Sequence, residues 1–294
     1  MDFKPLNDLH CGTGEGPVWD DRRQVLFHVD IPARTVYQLD GKGRAKHWEF
    51  PSEVGSIGLA ESGKLVVAVR HAVGLFDITD GSWRQLAEIE PEQGAVTRTN
   101  DGKVGPDGAF WVGTMDDRTD VPRQPIASLY RVTADGKVEK KIDGGVVISN
   151  GLAWAPDGRF MYHTDARAGW IDRWDFDPAS GAITNHKRLA TLVNEQGRPD
   201  GGATDADGNY WSAGVSAHCL NKFSPDGKLL DKIEVPVQAP TMLCFGGSDL
   251  RTMYVTSQHD GRTPEQMAKY PLTGITIIAP SPVTGAPVAR FRDR

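Results

Sequence analysis

The sequence has few segments that could form a helix of ordinary length. Gly 33 and Pro 19 are spread through the chain, and the longest run without either extends only from Ala182 to Gln196. Both residues disfavour helix interiors, so a helical bundle is excluded and a Rossmann-type alternation is disfavoured. No apolar run approaches the ~20 residues of a membrane span. The N-terminal stretch MDFKPLNDLH lacks the regions of a signal peptide.

Cysteine and excess basic charge are also scarce. The three cysteines are far apart in the sequence, which argues against both a disulfide framework and a thiolate metal site. Lys+Arg 33 against Asp+Glu 39 gives a net charge of −6, with no basic block. This balance argues against a nucleic-acid partner. We therefore expect a soluble, cytoplasmic, all-β protein that binds neither nucleic acid nor membrane.

A turn followed by a short apolar or aromatic run recurs along the chain. Asp-Gly between hydrophobic runs is a strong hairpin signal because glycine adopts the positive φ of a tight turn. Six copies are spaced 40, 45, 50, 50 and 42 residues apart, with turn markers at Arg22, Ser62, Asp107, Asp157, Asp207 and Asp249. A second strand pair follows each copy. Four short strands per unit predict a six-bladed β-propeller that occupies residues 1–294 as a single domain.

The repeat also identifies residues that share one position. The first strand of each propeller blade lines the central channel, so residues seven before the turn markers should face one axial pocket. Four of these positions carry oxygen donors, and the other two fall near Gly55 and at Thr241 or Met242; the four are Glu15, Asn100, Asn150 and Asp200. Single Asn or Asp residues before glycine are commonly turn caps. Four in one register favour a site instead.

Hard oxygen donors of this kind suit a divalent cation that keeps open positions for water and substrate. The register contains no His or Cys, which argues against a nitrogen and sulfur zinc site. The sequence therefore predicts a metal site on the propeller axis.

Three arginines are candidate substrate contacts. Arg98 lies two residues before Asn100 and should reach the same pocket mouth. A charged insert between Asp116 and Ser128 interrupts the third unit and carries Arg118 and Arg123. Such inserts form either lids over sites or solvated loops, and both interpretations stay open.

Several motifs resemble one known family over essentially the full chain. They include CGTGEGPVW from Cys11, RTNDGK from Arg98, ISNGLAW from Ile148 and CFGG from Cys244. In this order they resemble the SMP-30/gluconolactonase/LRE-like family, which includes regucalcin. The resemblance implies a six-bladed propeller with substrate contacts from the Arg and Asn of RTNDGK. It also implies one axial metal, held by Glu15, Asn150 and Asp200.

These features predict a metal-dependent hydrolase that opens a sugar lactone of the gluconolactone type to the aldonic acid. The cation would act as a Lewis acid, and Asp200 would take a proton from the attacking water. Calcium, zinc, manganese, magnesium and iron(II) all remain candidates. The alternatives are hydrolysis of phosphotriesters or other lactones, and a non-catalytic calcium-binding propeller. We expect a monomer or a small homo-oligomer.

Overall fold

The predicted Asp-Gly turns form hairpins in the computed structural model, which describes residues 1–294. Gly158 has φ of +72°, a conformation that favours glycine. The carboxylate of Asp157 supports the same turn because its Oδ1 accepts a hydrogen bond from the Arg159 amide at 3.0 Å. The resulting hairpins assemble into six antiparallel sheets of four strands each.

The strands, in chain order, are β1 (Lys4–Pro5), β2 (Gly14–Asp20), β3 (Val25–Asp30), β4 (Thr35–Leu39), β5 (Ala45–Glu49), β6 (Val54–Leu59), β7 (Leu65–Val69), β8 (Ala72–Phe76), β9 (Trp83–Glu88), β10 (Thr97–Val104), β11 (Phe110–Asp116), β12 (Ala127–Val132), β13 (Val138–Val146), β14 (Ser149–Trp154), β15 (Phe160–Asp165), β16 (Trp170–Asp177), β17 (Ala182–Thr191), β18 (Pro199–Thr204), β19 (Tyr210–Gly214), β20 (Cys219–Phe223), β21 (Leu229–Glu234), β22 (Pro240–Gly246), β23 (Thr252–Ser257) and β24 (Ile277–Pro280). Blades 1 to 5 each take four consecutive strands, from β2–β5 to β18–β21. Blade 6 combines β22, β23 and β24 with β1 as its outermost strand. The predicted six-bladed propeller is confirmed.

The ring closes through its inner strands and through the N-terminus. Strands β2, β6, β10, β14, β18 and β22 each contact the next inner strand around the axis, and β22 contacts β2. Pairing of β1 with β24 joins the start of the chain to the last blade. Strands β2 and β6 are buried along their whole length, whereas β5 is mostly exposed. These inner strands are therefore covered on both faces, although they contain glycine and polar residues as well as apolar ones.

Hydrophobic side chains fill the spaces between neighbouring blades. Phe27 of blade 1 and Leu59 and Val67 of blade 2 belong to one buried cluster. Between blades 3 and 4, the Trp111 ring packs edge-on against Trp154, with ring centroids 5.9 Å apart. Each blade is thus stabilised by both of its neighbours, and the ring as a whole fixes where the inner strands lie.

Helical structure is confined to the connections. Helix α1 spans Pro264–Lys269 and is capped by Thr263, whose Oγ1 accepts from the Gln266 amide at 3.2 Å. Two short 3-10 turns cover Pro91–Gln93 and Asn194–Gln196. None of these helices has the length and apolar character needed to cross a membrane. The single domain and the cytoplasmic location stay predictions.

The C-terminal segment, residues 285–294, crosses the far ends of the inner strands. Isolated β-bridges connect it to blades 2 and 5. Arg290 forms a salt bridge with the buried carboxylate of Asp20 at the end of β2, at 2.8 Å. Phe291 is fully buried in the cluster between blades 2 and 3. The segment therefore covers one end of the central channel.

Replacing Phe291 by alanine should lower the free energy of unfolding by about 3 kcal/mol, because truncating a fully buried aromatic removes apolar burial and leaves a cavity. Urea denaturation measures this change. Val288→Ala is the matched control, since Val288 lies in the same segment but is 36% exposed. Equal effects of the two substitutions would show that the segment does not hold the blades together through Phe291.

Candidate active site

A β-bulge occurs near the start of every inner strand. The pairing register of each inner strand with its neighbour shifts at the same place in all six blades. The residues at or beside these shifts are Glu15, Gly55, Asn100, Asn150, Asp200 and Thr241. A bulge interrupts the alternation of a strand and re-aims a side chain. It also settles the position in blade 6, where the shift lies between Pro240 and Met242 and so contains Thr241.

Glycine makes one of these bulges possible. Gly151, directly after Asn150, has φ of +64°, and a Cβ added there would lie 2.4 Å from the Tyr210 hydroxyl oxygen. Any larger residue would be strained and would displace the neighbouring blade. The Asn-Gly pair therefore both turns the Asn150 side chain and lets blades 4 and 5 approach closely.

A cavity of about 520 Å³ opens at this end of the axis. All four oxygen-bearing residues that the sequence places in one register line it, as do Thr241, Arg98 and Arg123. The structure thus brings together six of the seven predicted site residues: Glu15, Arg98, Asn100, Arg123, Asn150 and Asp200.

Arg118 is the exception. Its guanidinium does not line the cavity and instead donates two hydrogen bonds to Asp116, from Nε to Oδ1 at 2.8 Å and from Nη2 to Oδ2 at 2.6 Å. Asp116 is buried at the end of β11 and also accepts from the Gln124 amide. The carboxylate therefore anchors the insert through Arg118, and the expectation that Arg118 reaches the pocket fails. Arg123, later in the same insert, does reach it.

The acidic groups of the cavity have few partners. Glu15 Oε2 accepts from the Gly16 amide at 2.9 Å, whereas the Asp200 carboxylate has no hydrogen bond or salt bridge. The buried carbonyl oxygen of Asn150, Oδ1, also lacks a hydrogen-bond partner. Buried polar atoms are normally satisfied, so these three side chains leave ligand-binding capacity unused.

Burial and mutual repulsion raise the pKa of both carboxyl groups. For Glu15, burial contributes most to the rise in pKa, followed by the charges of Asp200 and Asp101. For Asp200, burial and then Asp101 raise the pKa to about 8, and Arg198 opposes the change. A divalent cation would reverse this tendency, because it favours the ionised forms.

The donor set fits such a cation. Glu15 and Asp200 offer carboxylate oxygens, and Asn150 offers an unpartnered carbonyl oxygen, all of them hard ligands suited to calcium, magnesium or manganese. Asn100 differs from Asn150 because its Oδ1 already accepts from Arg98 Nη1 at 3.2 Å and its Nδ2 donates to the Ser149 carbonyl at 2.9 Å. Asn100 is therefore held in place beside the candidate metal ligands.

Arg98 is fixed by a shared ion-pair network. Its Nε lies 3.1 Å from Asp117 Oδ1, and Arg70 bridges Asp117 at 2.8 Å and Glu53 at 3.4 Å. The side chain of Arg98 is only 13% exposed. It therefore presents an oriented guanidinium to one side of the cavity.

Beneath the cavity lie two charged residues of β10 that sequence reasoning missed. Lys103 Nζ donates to the Gly202 carbonyl at 2.6 Å, and Asp101 Oδ2 accepts from the Leu152 amide at 3.1 Å. Burial lowers the pKa of Lys103 and raises that of Asp101. Both residues follow Asn100 in the RTNDGK motif. The position of Asn100 in the repeat could therefore have identified the two charged residues beneath the cavity as well.

Two further arginines line the cavity, Arg167 and Arg198. A sequence signal for Arg198 was available, because it lies two residues before Asp200 just as Arg98 lies two residues before Asn100. Arg167 sits in the turn between β15 and β16, where no repeat position marks it.

Several known proteins resemble the chain in sequence and in fold. The profile of the SMP-30/Gluconolactonase/LRE-like region matches residues 13–259. The 6-deoxy-6-sulfogluconolactonase of Pseudomonas putida is 38% identical over 262 residues, which cover 89% of this chain and 88% of that protein. Bos taurus regucalcin is 34% identical over 289 residues, covering 94% and 96% of the two chains. The crystal structure of a calcium-binding regucalcin from Agrobacterium tumefaciens has a TM-score of 0.89 at 25% identity, covering 99% of this chain and 96% of that one.

The carboxylates should cost stability when no cation is present. Folding raises the pKa of Glu15. The stability that its protonated form contributes at low pH is therefore lost as the pH rises from the pKa of Glu15 in the unfolded chain towards its pKa in the folded protein. Glu15→Gln removes that loss of stability. In the presence of a chelator at pH 8, the variant should therefore have a melting temperature about 2 °C or more above that of wild type. The same variant should lose the rise in melting temperature that Ca²⁺ or Mn²⁺ gives to wild type. Scanning fluorimetry measures both.

Glu53→Gln is the control for this test, since Glu53 lines the same cavity but pairs with Arg70. It should keep the metal-dependent rise and gain no stability in chelator. An undiminished metal response in Glu15→Gln would remove Glu15 from the candidate ligand set.

Proposed function

Because the chain belongs to the SMP-30/gluconolactonase/LRE-like family, we propose that it hydrolyses a sugar lactone to the corresponding aldonic acid with the aid of a divalent cation. The observation that carries the proposal is the set of Glu15, Asn150 and Asp200 in a polar axial cavity. The Asp200 carboxylate and the Asn150 carbonyl oxygen have no hydrogen-bond partner, and the Glu15 carboxylate accepts only from the Gly16 amide. The P. putida relative is named a sulfogluconolactonase, and the A. tumefaciens relative a calcium-binding protein.

The cavity suits a polyhydroxylated substrate. Only five of its 20 lining residues are hydrophobic, and all of the others except Pro32 offer charged, amide or hydroxyl groups. A hydrophobic phosphotriester or a long-chain lactone would leave these polar groups without partners, which is costly in a desolvated site. A sugar can satisfy them through its hydroxyls. This composition favours a sugar lactone over the other hydrolase substrates.

Residues of this chain would divide the work of the reaction. Glu15, Asn150 and Asp200 would hold the cation, which supplies Lewis-acid polarisation of the lactone carbonyl when bound. Asp200 would also accept the proton of the attacking water, as its carboxylate has no hydrogen-bond donor to compete for it. Arg98 and Asn100 are fixed by Asp117 and the Ser149 carbonyl. They would orient the sugar hydroxyls without needing to reorganise.

No covalent nucleophile is needed for this chemistry. A lactone carbonyl is already electrophilic, and the nearest hydroxyl–imidazole pair, Ser149 Oγ to His163 Nε2 at 2.8 Å, is fully buried. Burial lowers the pKa of His163 to about 4. This pair therefore serves the packing of blade 4.

Proton release on a panel of aldonolactones tests the proposal, with correction for spontaneous ring opening. Wild type should accelerate at least one lactone, lose that activity on chelation and regain it when a divalent metal is added back. Asp200→Ala should lower kcat by about 10²-fold or more, the scale of general-base catalysis. Asp143→Ala, at an exposed surface acid, is the control and should keep wild-type rates. If folded, metal-loaded protein accelerates no lactone, the proposed function is wrong.

A further inference from the structure

Two arginines lie side by side at one edge of the cavity. Arg167 occupies the turn between β15 and β16, and Arg198 immediately precedes β18. The Nη1 of Arg198 donates to the carbonyl oxygen of Ala166 at 2.9 Å, which holds its guanidinium against the residue next to Arg167. Both side chains line the cavity. They therefore approach the same edge from blades 4 and 5.

Neither arginine has a carboxylate partner. On the other side of the cavity, Arg70 and Arg98 share Asp117, so their charges are compensated. No salt bridge reaches Arg167 or Arg198, and the buried Nε of Arg198 has no hydrogen-bond acceptor at all. A buried donor without an acceptor is costly. It marks a place where an acceptor from outside the protein would bind.

The charged groups around the pair do not neutralise it. Burial is the main cause that lowers the pKa of Arg198, and the charge of Arg167 adds to it. Asp165 and Asp200 act in the opposite direction. The Asp165 carboxylate already accepts from the amides of Arg167 and Val147, at 2.8 and 2.7 Å. Asp200 belongs to the candidate metal ligands.

We propose that Arg167 and Arg198 form a subsite for an anionic substituent of the sugar, and that the preferred substrate is an aldonolactone bearing a sulfonate, phosphate or carboxylate group away from the ring carbonyl. Planar guanidinium groups bind such oxyanions through paired hydrogen bonds. Arg198 lies two residues before Asp200, so the subsite is within reach of a substituent on a sugar whose carbonyl lies at the candidate metal ligands. This inference rests on the proposed lactonase function and makes it more specific.

The test compares kcat/KM for one neutral lactone, glucono-1,5-lactone, with three anionic ones that carry a sulfonate, a phosphate or a carboxylate at C6. Wild type should prefer at least one anionic lactone, and the panel identifies which oxyanion it accepts. Arg167→Gln should lower the anionic-to-neutral ratio about tenfold, the value of one charge-assisted hydrogen bond. Most of the change should appear in KM. Arg44→Gln removes one exposed arginine from the β4–β5 turn and should leave the ratio at the wild-type value.

Arg198→Gln distinguishes substrate binding from an effect on Asp200. A fall in the ratio of about tenfold or more supports the subsite. An equal fall for neutral and anionic lactones would show that Arg198 acts through Asp200 and would overturn the proposal. A wild-type preference for the neutral lactone would overturn it as well, while leaving the lactonase function intact.

A binding measurement separates the subsite from turnover. Calorimetry with glucose 6-sulfate and with glucose should show tighter binding of the sulfate ester to wild type, and Arg167→Gln should remove most of that difference. This result would support the subsite even if no lactone were hydrolysed. Equal binding of the two sugars would contradict it.

Discussion

The site depends on the closure of the ring of inner strands. Each strand alone would present the residue at its bulge to solvent, but six strands that contact one another around an axis bring those residues into one small space. Glu15 and Asp200 are thereby held close enough to raise the pKa of Glu15 through the charge of Asp200. Packing between blades supplies the free energy that keeps these like charges together. Stability and ligand-binding capacity therefore come from the same contacts.

The six equivalent positions do not share one task. Gly55 has no side chain because a Cβ there would lie 2.7 Å from the Asn100 carbonyl oxygen. Thr241 hydrogen-bonds the Gly14 carbonyl at 2.5 Å and so ties blade 6 to blade 1. These two positions let neighbouring strands approach, and the other four present oxygen donors to the cavity. The repeat fixes the geometry, while the residue chosen in each blade decides its chemistry.

The regular part of the molecule was predictable from the sequence, and the irregular part was not. Turn spacing is local information, so it revealed the blades and the shared register of the oxygen donors. The assignment of Thr241 needed the bulge, which shifts the count by one residue. Arg118 was misplaced because the burial of Asp116, its partner, follows from tertiary packing that no local pattern encodes. Arg198 has the same spacing to Asp200 as Arg98 has to Asn100, so the repeat carried a signal for it.

The C-terminal segment affects how a reactant enters the cavity and how a product leaves it. Its contacts with blades 1, 2 and 5 seal the far end of the axis, with Lys103 and Asp101 forming a layer above it. The cavity of the candidate site therefore opens at the opposite end of the axis. A product formed in the cavity must leave through the same opening by which the reactant entered. Reactant and product therefore cannot pass through that opening at the same time. Departure of the product must therefore come before entry of the next reactant in every turnover.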